Sequence, residues 1–198
     1  MRVLSHHIAI RIIENEHDRL SAVIQGMQHF VRAINKGKKA PDPKVFRAML
    51  VYISEYPQKV HHPKEDQYLF ARLRQRTNRI NQTLEELESQ HKQGESQLCA
   101  LELALTQYEL EGAAAFQSFF DMVETHAKFH SDHMGLEEDV VLPAAIKFLT
   151  QDDWAVINAQ FAANADPLAG SGYKESLDKL FALIVNIAPA PIGRGPAT

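Results

Sequence analysis

FQSFFDMVETHAKFHSDHMGLEEDVVLPA, residues 116–144, decides the fold. Its apolar residues Phe116, Phe119 and Val123, then Val140 and Ala144, recur three and four apart, the spacing of one helix face. Between them the same face carries His126, His130, His133 and Glu137, so four successive positions that should meet a core are polar. Such a face buries its apolar ends and brings ionisable groups into the middle, which requires partners for them.

The pattern repeats upstream. Leu84, Leu87, Leu98, Leu101, Leu105 and Tyr108 form a stripe with His91 and Gly94 inside it, ended by Gly112. From Lys44 to Arg76 a second helical stripe runs through Phe46, Leu50, Ile53, His61, Glu65, Leu69 and Leu73. Pro57 and Pro63 interrupt it, each removing a backbone donor, so a kink or bulge is expected beside His61. The first stripe is Ile10, Ile13, Leu20, Ile24, Met27, Val31 and Ile34, with His17 in register, and it ends near Lys36 with Gly37 as cap. Four long amphipathic helices with short connections make an all-α chain, an up-down-up-down four-helix bundle. Thr150 and Asp153 have the spacing of a capping box that opens a short helix through Trp154, Ile157 and Phe161. A turn is expected over 166–172, and Leu177, Leu180, Phe181, Ile184 and Val185 predict a last helix. The expected organisation is a bundle over 1–149, a helical extension packed on it over 150–187, and an unstructured tail over 188–198.

The 198 residues suit one core rather than two. Hydrophobic residues at 45% and charged residues at 23% describe an ordinary folded chain. With 21 Lys+Arg against 25 Asp+Glu the net charge is −4, which gives no general attraction to nucleic acid or anionic lipid. No run is long and apolar enough to span a bilayer, and the N-terminus carries Arg11, Glu14 and Glu16 where a signal peptide would be apolar, so a cytoplasmic protein is expected. Cys99 is the only cysteine; it excludes an internal disulfide and a multi-thiolate metal site, and is expected to be an inert core thiol. Any metal must therefore use His and carboxylate.

His17, His61, His91 and His133 sit on the buried faces of the four helices. Each imidazole buried without a partner costs about 1–3 kcal/mol, so four of them would consume a stability of roughly 5–15 kcal/mol. Two are followed by a glutamate one turn on, His61 by Glu65 and His133 by Glu137, so that one helix offers two donors to one centre. Divalent cations between the two carboxylates would remove their mutual repulsion, and a mixed N/O set suits iron or manganese.

EHDRL around His17, HHPKEDQYLF around His61, LESQHKQGE around His91 and HSDHMGLEEDVVLP around His133 together resemble the hemerythrin-like, or HHE cation-binding, domain family. The resemblance covers roughly residues 8–148, and DDWAVINAQFAANADPL is similar to an extension of bacterial members. It implies a hemerythrin-like four-helix bundle around a non-haem di-iron centre. His17, His61, Glu65, His91, His133 and Glu137 would be the metal ligands, Glu65 and Glu137 bridging two iron ions, with room for an oxo or hydroxo bridge; manganese or zinc are possible substitutes.

Oxygen-carrying relatives have a fifth histidine four residues after the third-helix one, where this chain has Glu95, leaving that residue as ligand, neighbour of a ligand or solvent-facing group. His62 and Asp66 form a second i, i+4 pair one residue on from His61 and Glu65, and the kink leaves open which pair turns inward. His126 and His130 exceed what the family requires and are expected to hydrogen-bond around the ligands. The expected function is binding of, or reaction with, oxygen, nitric oxide or peroxide, in oxidative or nitrosative stress or iron-centre repair, inside a core too enclosed for a large organic substrate. Ile13, Leu20, Leu87, Leu98 and Val140 are its expected walls. The alternative is an iron- or redox-sensing module whose folding is coupled to metal.

Overall fold

The computed structural model describes residues 7–163 and 172–195. Helix α1 (Ile8–Asn35) ends where Gly37, at φ 77°, donates its N–H to the Ile34 carbonyl at 2.8 Å, and Lys38 reaches back to Ala33 at 3.0 Å. Asp42 caps α2 (Pro43–Tyr56), its carboxylate accepting from the Lys44 N–H at 2.9 Å, with Pro43 at the first position, where no donor is required. The second rod continues without a break through a π-turn (Pro57–His61), α3 (His62–Lys64), a second π-turn (Glu65–Phe70) and α4 (Ala71–Arg76). Helix α5 (Asn81–Glu111) stops at Gly112, whose φ of 65° reverses the chain. The fourth rod is α6 (Phe116–Leu136), a π-turn (Glu137–Val141) and α7 (Leu142–Phe148).

Helix α1 packs on α2 and α6, and α5 completes the ring by packing on the same two, so the four rods close as a bundle. No strand occurs among the described residues. Thr150 caps α8 (Gln151–Ala162) in the expected box: its hydroxyl accepts from the Asp153 N–H while the Asp153 carboxylate accepts from the Thr150 N–H. Helix α8 lies against α1, and α9 (Gly172–Ile187) against α2. The turn expected at 166–172 lies, up to residue 171, outside the described residues.

Residues 188–195 differ from the unstructured tail expected there. They fold back on α9, Arg194 N–H bonding the Val185 carbonyl and Gly195 N–H the Ala188 carbonyl, both at 2.8 Å, while Ile192 packs on the core. Glycine permits this approach: a Cβ at Gly195 would lie 2.1 Å from the Ile187 carbonyl oxygen.

The π-turns change the register of the stripes. Each adds a residue to a turn, seen in the Leu142 N–H bonding to the Glu137 carbonyl and the His62 N–H to the Pro57 carbonyl, five residues back in both cases. The prolines explain the sites: Pro57 and Pro63 border the first two, and Pro143 leaves the Asp139 carbonyl without its usual donor. After Glu137 the buried positions are Val141, Leu142, Ala144 and Ala145, while Val140, expected as a wall, is only half-buried.

Two apolar clusters fill the bundle. One contains Phe46, Leu101 and Phe119; the other contains Ile10, Leu73, Leu87 and Trp154, with α8 covering it. Between them lies a layer of buried ionisable side chains.

Candidate metal centre

His17 comes from the middle of α1, His61 from the first π-turn, His62 from α3, Glu65 from the second π-turn, His91 from α5, His133 from α6 and Glu137 from the third π-turn. All seven are buried. They form two groups whose donor atoms lie within 4.8 Å of one another: His17, His61, Glu65 and Glu137 in one, His62, His91 and His133 in the other. All six residues singled out from the family pattern are thus in the layer, and His62 is the seventh.

The carboxylates connect the groups. Glu65 turns Oε1 to His61 Nε2 at 3.3 Å and Oε2 to His91 Nε2 at 3.7 Å. Glu137 turns Oε2 to His17 Nε2 at 3.2 Å and Oε1 to His133 and His91 Nε2 at 3.4 and 3.7 Å. Each carboxylate therefore presents one oxygen to each histidine group.

The outer nitrogens are held from behind. His61 Nδ1 bonds Glu16 at 2.8 Å, His17 Nδ1 bonds Glu138 at 2.9 Å, His133 Nδ1 bonds the Gln90 amide oxygen at 2.9 Å and His91 Nδ1 bonds Asp66 at 3.1 Å. An Nδ1–H donating to such an acceptor leaves the Nε2 lone pair directed inward, the arrangement a cation requires. His62 has no such partner at Nδ1 and is held instead by stacking on His91, ring centroids 3.8 Å apart.

The protonation of the layer follows from the crowding. Burial and the charge of Glu137 push the Glu65 carboxyl well above its ordinary range, whereas His133, His17 and His91 outweigh burial and hold Glu137 well below it. Burial pulls His17 down, but Glu137 and Glu138 outweigh it and lift the imidazole to about 9; Asp66 and Glu137 do the same for His91, also to about 9. His133 is pulled by burial to about 4, against the attraction of Glu137. Without a cation the layer must therefore hold protons on some of its donors.

The donor set fits two cations. Glu65 Oε2, both Glu137 oxygens and the Nε2 atoms of His91 and His133 are buried with no hydrogen-bond partner among the described residues, and such atoms cost free energy unless something binds them. Five imidazoles and two carboxylates provide N and O donors of the kind that iron, manganese and zinc accept.

Several sequence readings change here. Of the three placements open to Glu95, the structure gives the solvent-facing one. His62 and Asp66 do not act as a pair: His62 enters the three-histidine group and Asp66 holds His91. Cys99 is exposed on α5, not a core thiol. His126 and His130 are buried but make no hydrogen bond through either ring nitrogen. Glu16, Gln90 and Glu138 escaped sequence reading, although Glu16 and Glu138 directly adjoin His17 and Glu137 in the chain.

Nor is the layer sealed on every side. A groove of about 1170 Å³ runs between α1 and α6, with Ser21, Gln25, Met134 and Glu138 on its walls and His17 and His130 at its floor. No helix among the described residues is long and apolar enough to cross a membrane. The family model of the hemerythrin HHE cation-binding domain matches residues 8–145. A comparison with curated proteins gives no match.

Proposed function

Because this chain belongs to the hemerythrin HHE cation-binding family, we propose that its buried layer holds two iron ions and uses them to bind or react with oxygen, nitric oxide or peroxide. The observation that carries the reading is the way Glu65 and Glu137 each give one oxygen to each histidine group. His17 and His61 would hold one ion, His62, His91 and His133 the other, and the two glutamates would bridge them. Iron bound there would supply two one-electron redox centres to a small ligand.

The chain's own residues do the rest. Glu16, Glu138, Asp66 and Gln90 fix four imidazole orientations, so the donors need little rearrangement when charge on the centre changes. Ile13 and Leu20 flank His17 on α1, and Leu87 and Leu98 flank His91 on α5; all four are buried and give the layer apolar neighbours away from the groove. The groove delivers a small ligand to the two-histidine end, since His17 lies at its floor. That end offers one imidazole fewer, and an ion held there would have room for an exchangeable ligand. A cytoplasmic role in oxidative or nitrosative stress agrees with this chemistry.

The test is the metal content of anaerobically purified protein, with absorption spectra before and after oxygen, nitric oxide and peroxide. Two iron ions per chain and near-ultraviolet bands that respond to one of these ligands are expected, and both are lost on replacing His61 and His133 with alanine. Folded protein without stoichiometric metal, or a double variant that keeps both ions, overturns the reading.

A further inference from the structure

His126 and His130 lie on α6, one and two turns before His133, and belong to neither histidine group. Their exposures are 2% and 3%, yet none of their four ring nitrogens has a hydrogen-bond partner among the described residues. Two imidazoles buried in this way cost free energy, and apolar side chains of similar volume would pack there at no such cost. The rings pack edge to face, 4.5 Å apart between centroids at 67°.

What surrounds them narrows the ion. His126 opens on a cavity of about 170 Å³ between α5 and α6, shared with Met122, one turn before it, and with Gln97 and Ser96 across from it. The Gln97 amide oxygen is a further buried acceptor with no partner. Burial alone draws the His126 imidazole down to about 4, and no carboxylate acts on it, so its ring is neutral with a free lone pair. The candidate donors are two neutral imidazoles, a thioether and an amide oxygen. Since no carboxylate acts on His126, a doubly charged ion beside it would lack an adjacent anion, which is costly, whereas a singly charged soft ion suits imidazole and thioether.

We propose that His126, with Met122 and Gln97 beside it and the His130 ring packed against it, forms a mononuclear site for a cuprous ion, separate from the histidine–glutamate layer. The cavity at Met122 and Thr125 is its entrance from solvent, and the groove reaches His130 from the other side.

The experiment is an anaerobic titration of cuprous ion against a chromophoric chelator, in protein already loaded with ferrous iron. All proteins carry Cys99→Ser, because an exposed thiol binds copper itself. One cuprous ion per chain is expected to be withheld from the chelator. That equivalent is lost in the His126→Leu/His130→Leu variant, while Met122→Leu keeps the stoichiometry but binds more weakly. The double variant should keep its iron content and unfold at the same or a higher temperature, since it removes unpartnered polar atoms; the single His126→Gln variant serves as a second probe if the double one misfolds. Equal copper uptake by parent and variants, no uptake by the parent, or a site that takes zinc in preference overturns the proposal. Because the readout is the difference between parent and variant, it is independent of whether the iron layer works as proposed above.

Discussion

The two ends of the buried layer are built differently. At one end His17 and His61 stand with their Nε2 atoms 3.0 Å apart, next to a groove that reaches His17. At the other, His62, His91 and His133 pack ring on ring under Phe70 and Phe129, with a cavity of only about 10 Å³ beside them. The same two glutamates serve both. On the proposed reading the difference would separate holding from reacting: the crowded end offers three imidazoles in close packing, and the groove end offers two imidazoles and an approach from outside.

The most damaging test of this contrast removes what the ends share. Glu137→Ala should lose both ions, measured as iron per chain after gel filtration, because it deletes one oxygen from each end and leaves His17, His91 and His133 without their common partner. Next, His17→Ala and His91→Ala should diverge. The former should keep one ion and lose the spectral response to oxygen or nitric oxide, while the latter should weaken the closed end first; identical behaviour of the two variants would erase the distinction.

A finer comparison uses the groups behind the imidazoles. Glu16, at 4% exposure, holds His61, whereas Glu138, at 44%, holds His17. Glu16→Gln should weaken iron retention about 10–100-fold in competition with a chelator, and Glu138→Gln less, because solvent already screens that contact.

Proton competition supplies a fourth measurement. His17 and His91 are lifted from 6.5 to about 9 when no cation is bound, one at each end. The stability this gives the metal-free chain is complete below about 6.5 and is lost as pH rises through 9. Its melting temperature should therefore fall between pH 7 and 10, while apparent iron affinity rises over that interval because binding displaces those protons. A metal-free melting temperature flat in pH would show that these imidazoles are not held charged.

The smallest effect lies outside the layer. Thr150→Ala removes the cap of α8 and should cost about 1 kcal/mol in denaturant unfolding with iron content unchanged.

Most of the bundle was legible from spacing. The apolar residues of α1 and α5 fall on the faces their three-four pattern predicts, because a straight helix preserves its register over many turns. Where the helix is not regular, prediction by period held at Leu69, Leu73 and Ala144, which are buried, and failed at one position. Val140 was a core position by count and is half-buried, displaced by Val141 once the turn at Glu137 takes in an extra residue. His61 and His62 are neighbours about 100° apart on a helix, and at the widened turn Pro57–His61 each addresses a different histidine group. Proline at 57 and 63 announced the irregularity but not its outcome.

Periodicity, composition and the absence of thiolate partners were enough to establish a helical bundle with a nitrogen–oxygen donor layer across its middle, because helix faces and side-chain chemistry are local properties. Only the folded chain assigned His62 a place, sent Glu95 and Cys99 to the surface, put Glu16, Gln90 and Asp66 behind the imidazoles, and left His126 and His130 without partners. Those outcomes depend on which side chains from distant segments meet, and local sequence does not encode a distance between separate helices.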